Sequence, residues 1–395
     1  MSLPTITARI GFASASPYTA SPTWSDISND VRKITIRRGR FHEMDRIEAG
    51  TATIELKNNH GDYWPNKTTG AYYPNILPVK RVNIRATYSG TTYDLYTGFT
   101  EAWTPSWRDG GGKGPLMGVD CVDLTKALSR FLLPSVGYSS ELSGARVGHV
   151  LNDAGWNATE RVIDAGQTLL QATGTLTNTY AMAHLFDVQD TELGLVFQRG
   201  DGYVIFQDRL KRTLTSYITP AGIFSDVPGN KSYFGVEWYF DDQYLYNDIA
   251  VTAISGVTQE VTDSTSITAY GQRSLSKTNM LMVSDDDALG EAGTLLFLYK
   301  DPYLRAKSIT IRPLKNPAAL WPLVLDLDIS DMVTVVLTQA SISANYFIEA
   351  VTHTIDIVEG TWESQFELKA MTNSVSTNFW VVGVSALGAS TAVGW

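Results

Sequence analysis

Alternation of polar and apolar residues constrains this chain more than any other feature of its sequence. In 51–57, Ala52, Ile54 and Leu56 fall on one face while Thr51, Thr53, Glu55 and Lys57 fall on the other. Segments 33–37 and 81–86 repeat the pattern, and a period of two marks a half-buried strand. Between them Asn58, Asn59, Gly61 and Pro65 punctuate a turn-rich stretch. At about residue 121 the period lengthens. Leu124, Leu128, Phe131 and Leu132 predict a helix over 122–133, with Asp120 or Asp123 at its start and Pro134 beyond its end. Val147, Val150 and Leu151 predict another over 145–154, capped by Gly155, and a third is expected over 180–188. A hairpin follows at 195–206 around Arg199-Gly200-Asp201-Gly202. Strands return at 247–252, 307–311, 332–337, 346–357 and 365–370, interrupted by a helix at about 287–299 that Ser284 to Asp287 can cap. In the last strand Phe366 and Leu368 are expected inward, and Gln365, Glu367 and Lys369 outward. The order is β, then α+β, then β again, with no short-period repeat.

Composition narrows the function. The 395 residues suffice for two or three domains, and 44% are apolar, so large cores are available. Nineteen Tyr, ten Trp and fourteen Phe favour strands and protein interfaces. A net charge of −10 argues against a nucleic-acid binder and against docking on an anionic membrane. It suits a surface past which DNA slides without sticking. The lone Cys121 excludes an intrachain disulfide and a four-cysteine zinc site, and it fits a reducing compartment. No signal peptide or membrane-spanning apolar run is read.

A search for chemistry returns no catalytic residues, no cofactor site and no metal site. The histidines, His42, His60, His149, His184 and His353, show no i, i+4 zinc spacing. Gly110-Gly111-Gly112-Lys113 lacks the spacing of a phosphate loop, and a flexible turn is the simpler reading. Gly383-Val384-Ser385-Ala386-Leu387 misses the last glycine of a nucleophile elbow. Asp285-Asp286-Asp287 lacks the alternating ligands of a calcium loop, and a helix start explains it more simply. Asp241/Asp242 and Asp326/Asp328/Asp331 hold carboxylates whose separation decides any glycosidase role. Trp103, Trp107, Tyr72 and Tyr73 suit a core, loop anchors or an interface better than a sugar platform.

Three stretches together resemble the baseplate hub or tail-tip hub proteins of tailed bacteriophages, many of them minor tail proteins of long-tailed phages. The first runs from Trp24-Ser25-Asp26-Ile27 through Arg37-Arg38-Gly39-Arg40 and Ala49-Gly50-Thr51 to Tyr63-Trp64-Pro65-Asn66. The second is Leu245-Tyr246-Asn247-Asp248-Ile249 with Tyr270-Gly271. The third joins Pro302-Tyr303-Leu304-Arg305, 325–335 and Val351-Thr352-His353. Ser330 stands where the family pattern often has Gly, a departure that touches a turn. The resemblance implies a mainly β fold with an α+β insert: two tail-tube-like β-barrel or sandwich domains joined by a mixed region. The expected boundaries are 1–120, 121–240 and 241–371, with an uncharged tail at 372–395. It further implies a homotrimeric ring that adapts a hexameric tail tube to a threefold tip around a DNA channel. The implied partners are distal tail or tail-tube proteins and a tail-tip, fibre or tape-measure protein. The implied place is the virion tail tip, after assembly in the host cytoplasm.

An exposed Phe379/Trp380/Trp395 surface would aggregate, so these residues are expected at a subunit interface. The competing functional reading is a virion protein that binds or cleaves cell-envelope glycan.

Overall fold

The computed structural model describes residues 3–107 and 114–371, together with the backbone of two short paired strands, Phe379–Trp380 and Ala392–Val393. The fold is mainly β with an α+β insert. Its centre is one 13-stranded sheet that runs through both ends of the chain.

Two groups of strands repeat one plan. In the first, Val31–Gly39, Glu48–Lys57, Arg81–Tyr88, Thr91–Trp107 and Pro115–Val122 follow in chain order. Glu48–Lys57 lies between Val31–Gly39 and Pro115–Val122, and Thr91–Trp107 pairs with Pro115–Val122 and Arg81–Tyr88. In the second, Gly235–Tyr239, Arg305–Ile311, Met332–Leu337, Ile342–Asp356 and Thr361–Ala370 follow in the same order. Arg305–Ile311 lies between Gly235–Tyr239 and Thr361–Ala370, and Ile342–Asp356 pairs with Thr361–Ala370 and Met332–Leu337. Every one of these pairings is antiparallel. The long strand of each half slips register at a bulge, between Thr100 and Ala102 and between Ile348 and Ala350. A glutamate sits at each bulge, within Phe99-Thr100-Glu101-Ala102-Trp103-Thr104 and Phe347-Ile348-Glu349-Ala350-Val351-Thr352. The repeat is thus long in period and visible mainly through strand pairing.

Alternation places the cores. Ala52, Ile54 and Leu56 are buried with Ile34, Ile36, Val82, Ile84, Met117 and Val119 in the first half. Ile309, Ile311, Val333, Val335, Ile348, Phe366 and Leu368 form the second core. Helix Pro317–Asp326 lies where the two cores approach. Leu320 and Val324 enter the second core, while Trp321 and Leu325 enter the first. A helix that shows two adjacent faces to two cores carries a broad apolar surface.

The insert carries its own packing. Helices Ser143–Asp153 and Ala181–Glu192 cover the hairpin Leu195–Gln198/Val204–Gln207 through Val147, Val150, Leu185, Val188 and Phe206. The helix expected over 122–133 is confined to Leu124–Leu128, capped by Asp123, which accepts from the Thr125 amide. It stops early because the chain turns to bond elsewhere: the Leu133 amide donates to Thr179 and the Ala181 amide to Phe131. A further unit, Asp248–Ala253 flanked by Gln259–Thr262 and Ser274–Met280, packs under helix Asp285–Tyr299. Among the described residues no helix is long and apolar enough to cross a membrane.

Candidate assembly interfaces

The two halves meet through strands. Residues 33–39 pair antiparallel with 350–356, from Lys33 opposite Asp356 to Gly39 opposite Ala350. Gly39 has φ +109°, and a Cβ there would lie 2.1 Å from the Glu349 carbonyl oxygen, so only glycine fits this approach.

Charge locks the seam. The buried carboxylate of Glu349 accepts from Arg40 Nε at 2.6 Å and also from Arg212. Burial alone would raise its pKa, but the two guanidiniums outweigh burial and hold it down at about 2. Nearby, Arg38 donates to Asp328 at 2.7 Å, and the second Asp328 oxygen accepts from the Gly200 amide at 3.2 Å. First half, insert and second half are thereby tied at one place. Ser330 has φ +80°, the left-handed conformation that suits glycine. Its hydroxyl donates to Gln207 at 2.7 Å and accepts from Arg212 at 3.0 Å, bonds a glycine could not make.

A cleft of about 490 Å³ opens beside this junction. Asp94, Asp164, Asp201, Asp326, Asp328 and Asp331 reach it. The sequence-selected group Asp326/Asp328/Asp331 is therefore brought together. Burial, and then Asp328 and Asp326, raise Asp331 to about 6, yet its carboxylate accepts from the Asp328 amide at 2.8 Å and shapes the turn. Asp328 is committed to Arg38, Asp164 to Lys211 and Asp201 to Arg199.

The other candidates are placed as follows. Asp241 pairs with Arg305 and Asp242 with Arg273. Asp287 exchanges bonds with Ser284 at a helix start, and Asp285 accepts from the Val257 amide. Among the described residues no group of three His, Cys, Asp or Glu side chains is arranged to hold a metal. Tyr72 stacks on Phe12 at 4.3 Å and on Tyr63 at 5.3 Å, and Trp103 Nε1 donates to the Leu77 carbonyl. These aromatics anchor loops. Burial lowers His42 and His184 to about 4 and His353 to about 3. The side chains of Phe379, Trp380 and Trp395, and residues 110–113, lie outside the described residues.

Sequence reasoning missed the outer edges of two strands. Gly235–Tyr239 pairs only with Arg305–Ile311, and beyond the Thr100 carbonyl, which accepts from Val79, no strand pairs with the outer side of 101–106 among the described residues. Phe234 and Phe240, flanking the first edge, are 58% and 68% exposed. The shared Phe-x-Glu-Ala-x-Thr pattern was the sequence signal for this equivalence.

No family model and no curated protein matches the chain. Solved structures do. A 43 kDa tail protein of prophage MuSo2 from Shewanella oneidensis superposes with a TM-score of 0.60 at 14% identity, over 93% of this chain and 96% of that one. A tail protein from Neisseria meningitidis MC58 gives 0.62 at 11% identity, over 92% and 96%. An E. coli protein described as a type VI secretion component similar to the T4 tail proteins gp27 and gp5 gives 0.50 at 10%, over 87% and 74%. At these identities the likeness is one of fold, and it extends nearly end to end in the first two. The fold expected from the hub resemblance is the fold found.

Proposed function

We propose that this chain is a structural hub of a phage tail tip or baseplate. Three copies form a ring whose six β halves face a hexameric tail tube and leave a channel for DNA. The observation that carries this reading is the pair of equivalent strand groups joined side by side in one chain. A chain with two like units turns three copies into six positions. The near-complete likeness to phage tail proteins supports the same reading, and the net charge of −10 suits a lumen that DNA must traverse. The role is scaffolding, not catalysis. The carboxylates at the junction are engaged in holding elements together. The partners are tail-tube or distal tail proteins on one side and a tip, fibre or tape-measure protein on the other. The site of action is the virion tail, after assembly in the host cytoplasm.

Native mass measurement of the purified protein tests this reading. A trimer that binds tail-tube protein is expected. A stable monomer with no affinity for tube protein overturns it.

A further inference from the structure

We propose that the uncharged segment 372–395 of one copy docks on an apolar ribbon of the next copy's insert, formed by 131–142 and 169–180. The inference rests on the ring reading above, which supplies the neighbouring copy.

The ribbon is a built surface. Leu132 bridges Tyr180, the Leu133 amide donates to Thr179, the Leu176 amide to Val136 and the Thr173 amide to Tyr138, and Leu142 pairs with Leu169. These partners run antiparallel along both segments, with one slip of register between Val136 and Tyr138. Arg146, fully buried, fastens them from beneath. Its Nη2 donates to the Ser139 carbonyl at 2.8 Å and to the Gln171 carbonyl at 3.0 Å, and its Nε donates to Glu141 at 2.6 Å. Leu133, Tyr138 and Leu170 turn inward into the core of the insert. Leu132, Val136, Leu142, Leu169 and Tyr180 remain 41% to 48% exposed.

The sequence matches segment to ribbon. The two longest stretches of the chain without Asp, Glu, Lys or Arg are 165–186 and 370–395. The first holds one side of the ribbon, and the other side is free of these residues from 131 to 140. In a chain that is 18% charged, such a surface can be dried without stripping water from a charge. The buried centres of protein interfaces are depleted of charge and enriched in Trp and Phe. The segment brings Phe379, Trp380 and Trp395.

The segment also has the reach. It leaves the body at Met371, whose amide donates to the Asn345 carbonyl. Its 24 residues extend to about 80 Å, against about 55 Å across a compact body of this size. Its own copy leaves it unseated: among the described residues, the strand pair Phe379–Trp380 and Ala392–Val393 bonds to no other strand. A tether of this length keeps the segment concentrated near the copy that the ring holds beside it, so docking strengthens the association of copies.

Photo-crosslinking of the full chain tests the docking. With p-benzoylphenylalanine in place of Val136, irradiation is expected to give a two-chain band on a denaturing gel, whose mapped peptides join residue 136 to 372–395. The same group in place of Tyr72, which stacks on Phe12 of its own copy, is the ruler for the photochemistry and is expected to link within one chain. Tyr180→Asp, at an exposed side chain, is expected to keep the melting transition, to abolish the link from residue 136 and to weaken trimer formation at least about tenfold. A trimeric mass with the ruler linked and no link from residue 136 to 372–395 overturns the docking and leaves the ring standing. Links to 372–395 within one chain, or links between chains that map elsewhere, overturn the docking as well, and so does a link that survives Tyr180→Asp. A monomer overturns both docking and ring.

Discussion

The indole of Trp321 meets that of Trp362 edge-on, with ring centroids 4.9 Å apart and planes inclined at 67°. Trp321 belongs to the helix between the cores and Trp362 to the last long strand, so one contact joins the helix to the sheet that both halves share. Trp362 Nε1 donates to Ser364, whereas Trp321 Nε1 has no partner among the described residues. Truncating Trp321→Ala is expected to cost about 3–5 kcal/mol, through lost burial and a cavity. Trp321→Phe removes an unsatisfied N–H along with part of the ring and is expected to cost less than about 1.5 kcal/mol. Urea unfolding of the two variants checks the contrast; equal losses would show that packing at this site is not what the helix contributes.

Glu349→Gln leaves the buried Arg40 and the partly buried Arg212 without their shared carboxylate. Breaking a buried pair in this way is expected to cost about 3–5 kcal/mol. The pH dependence has a defined sign. The native carboxyl titrates at about 2 against an ordinary 4.5, so its contribution is complete above about pH 4.5 and lost as pH falls toward 2. The variant should lack that acid-side slope in denaturant titrations.

His353 predicts a second acid-side effect. It is buried against Ser364 and Trp362, and burial, with Arg38 adding, lowers its pKa to about 3. Below pH 6.5 the unfolded chain gains a proton that the native ring refuses, so stability falls as pH drops. Between pH 6.5 and 4.5 this one group removes about 2 kcal/mol. His353→Gln should flatten stability over that window, and an unchanged slope would assign the loss to His42 or His184, both at about 4.

Gly39→Ala would drive a methyl into the Glu349 carbonyl and strain a left-handed backbone. A loss of at least about 2 kcal/mol is expected. Gly235→Ala, at a glycine whose added Cβ meets nothing within 4 Å, should be nearly silent and serves as the comparison. Thermal melts of both distinguish a seam that tolerates no side chain from a strand that does.

Docking of the uncharged segment 372–395, with Phe379, Trp380 and Trp395, on a neighbouring copy makes assembly, not folding, depend on it. Deleting residues 372–395 should leave the melting transition intact while impairing trimer formation and tail assembly. Normal trimers and normal tails from the deleted chain would remove the segment from the interface.

Much of the β framework was legible because alternation is a local signal. Ala52, Ile54 and Leu56 are buried as their spacing requires, as are Phe366 and Leu368. Glu367 is the exception. Expected outward, it is buried, because its strand is paired on both sides and Lys307 and Arg37 lie near it. Helix Pro317–Asp326 escaped the reading because Pro322 interrupts it and its two apolar faces erase the amphipathic pattern. The partners of Glu349 were illegible for a different reason: Arg40 and Arg212 lie far away in sequence, and only strand pairing brings them together. The open edges were hidden too, since an edge is defined by which strand fails to arrive.

The seam between 33–39 and 350–356 also sets an order of events during synthesis. At roughly 5–20 residues per second, strand Val31–Gly39 leaves the ribosome on the order of tens of seconds before its partner exists. Until then one side of the first half is an unpaired edge, a template for mispairing. The native sheet is therefore completed only once residues 350–356 have been made and that strand closes on 33–39.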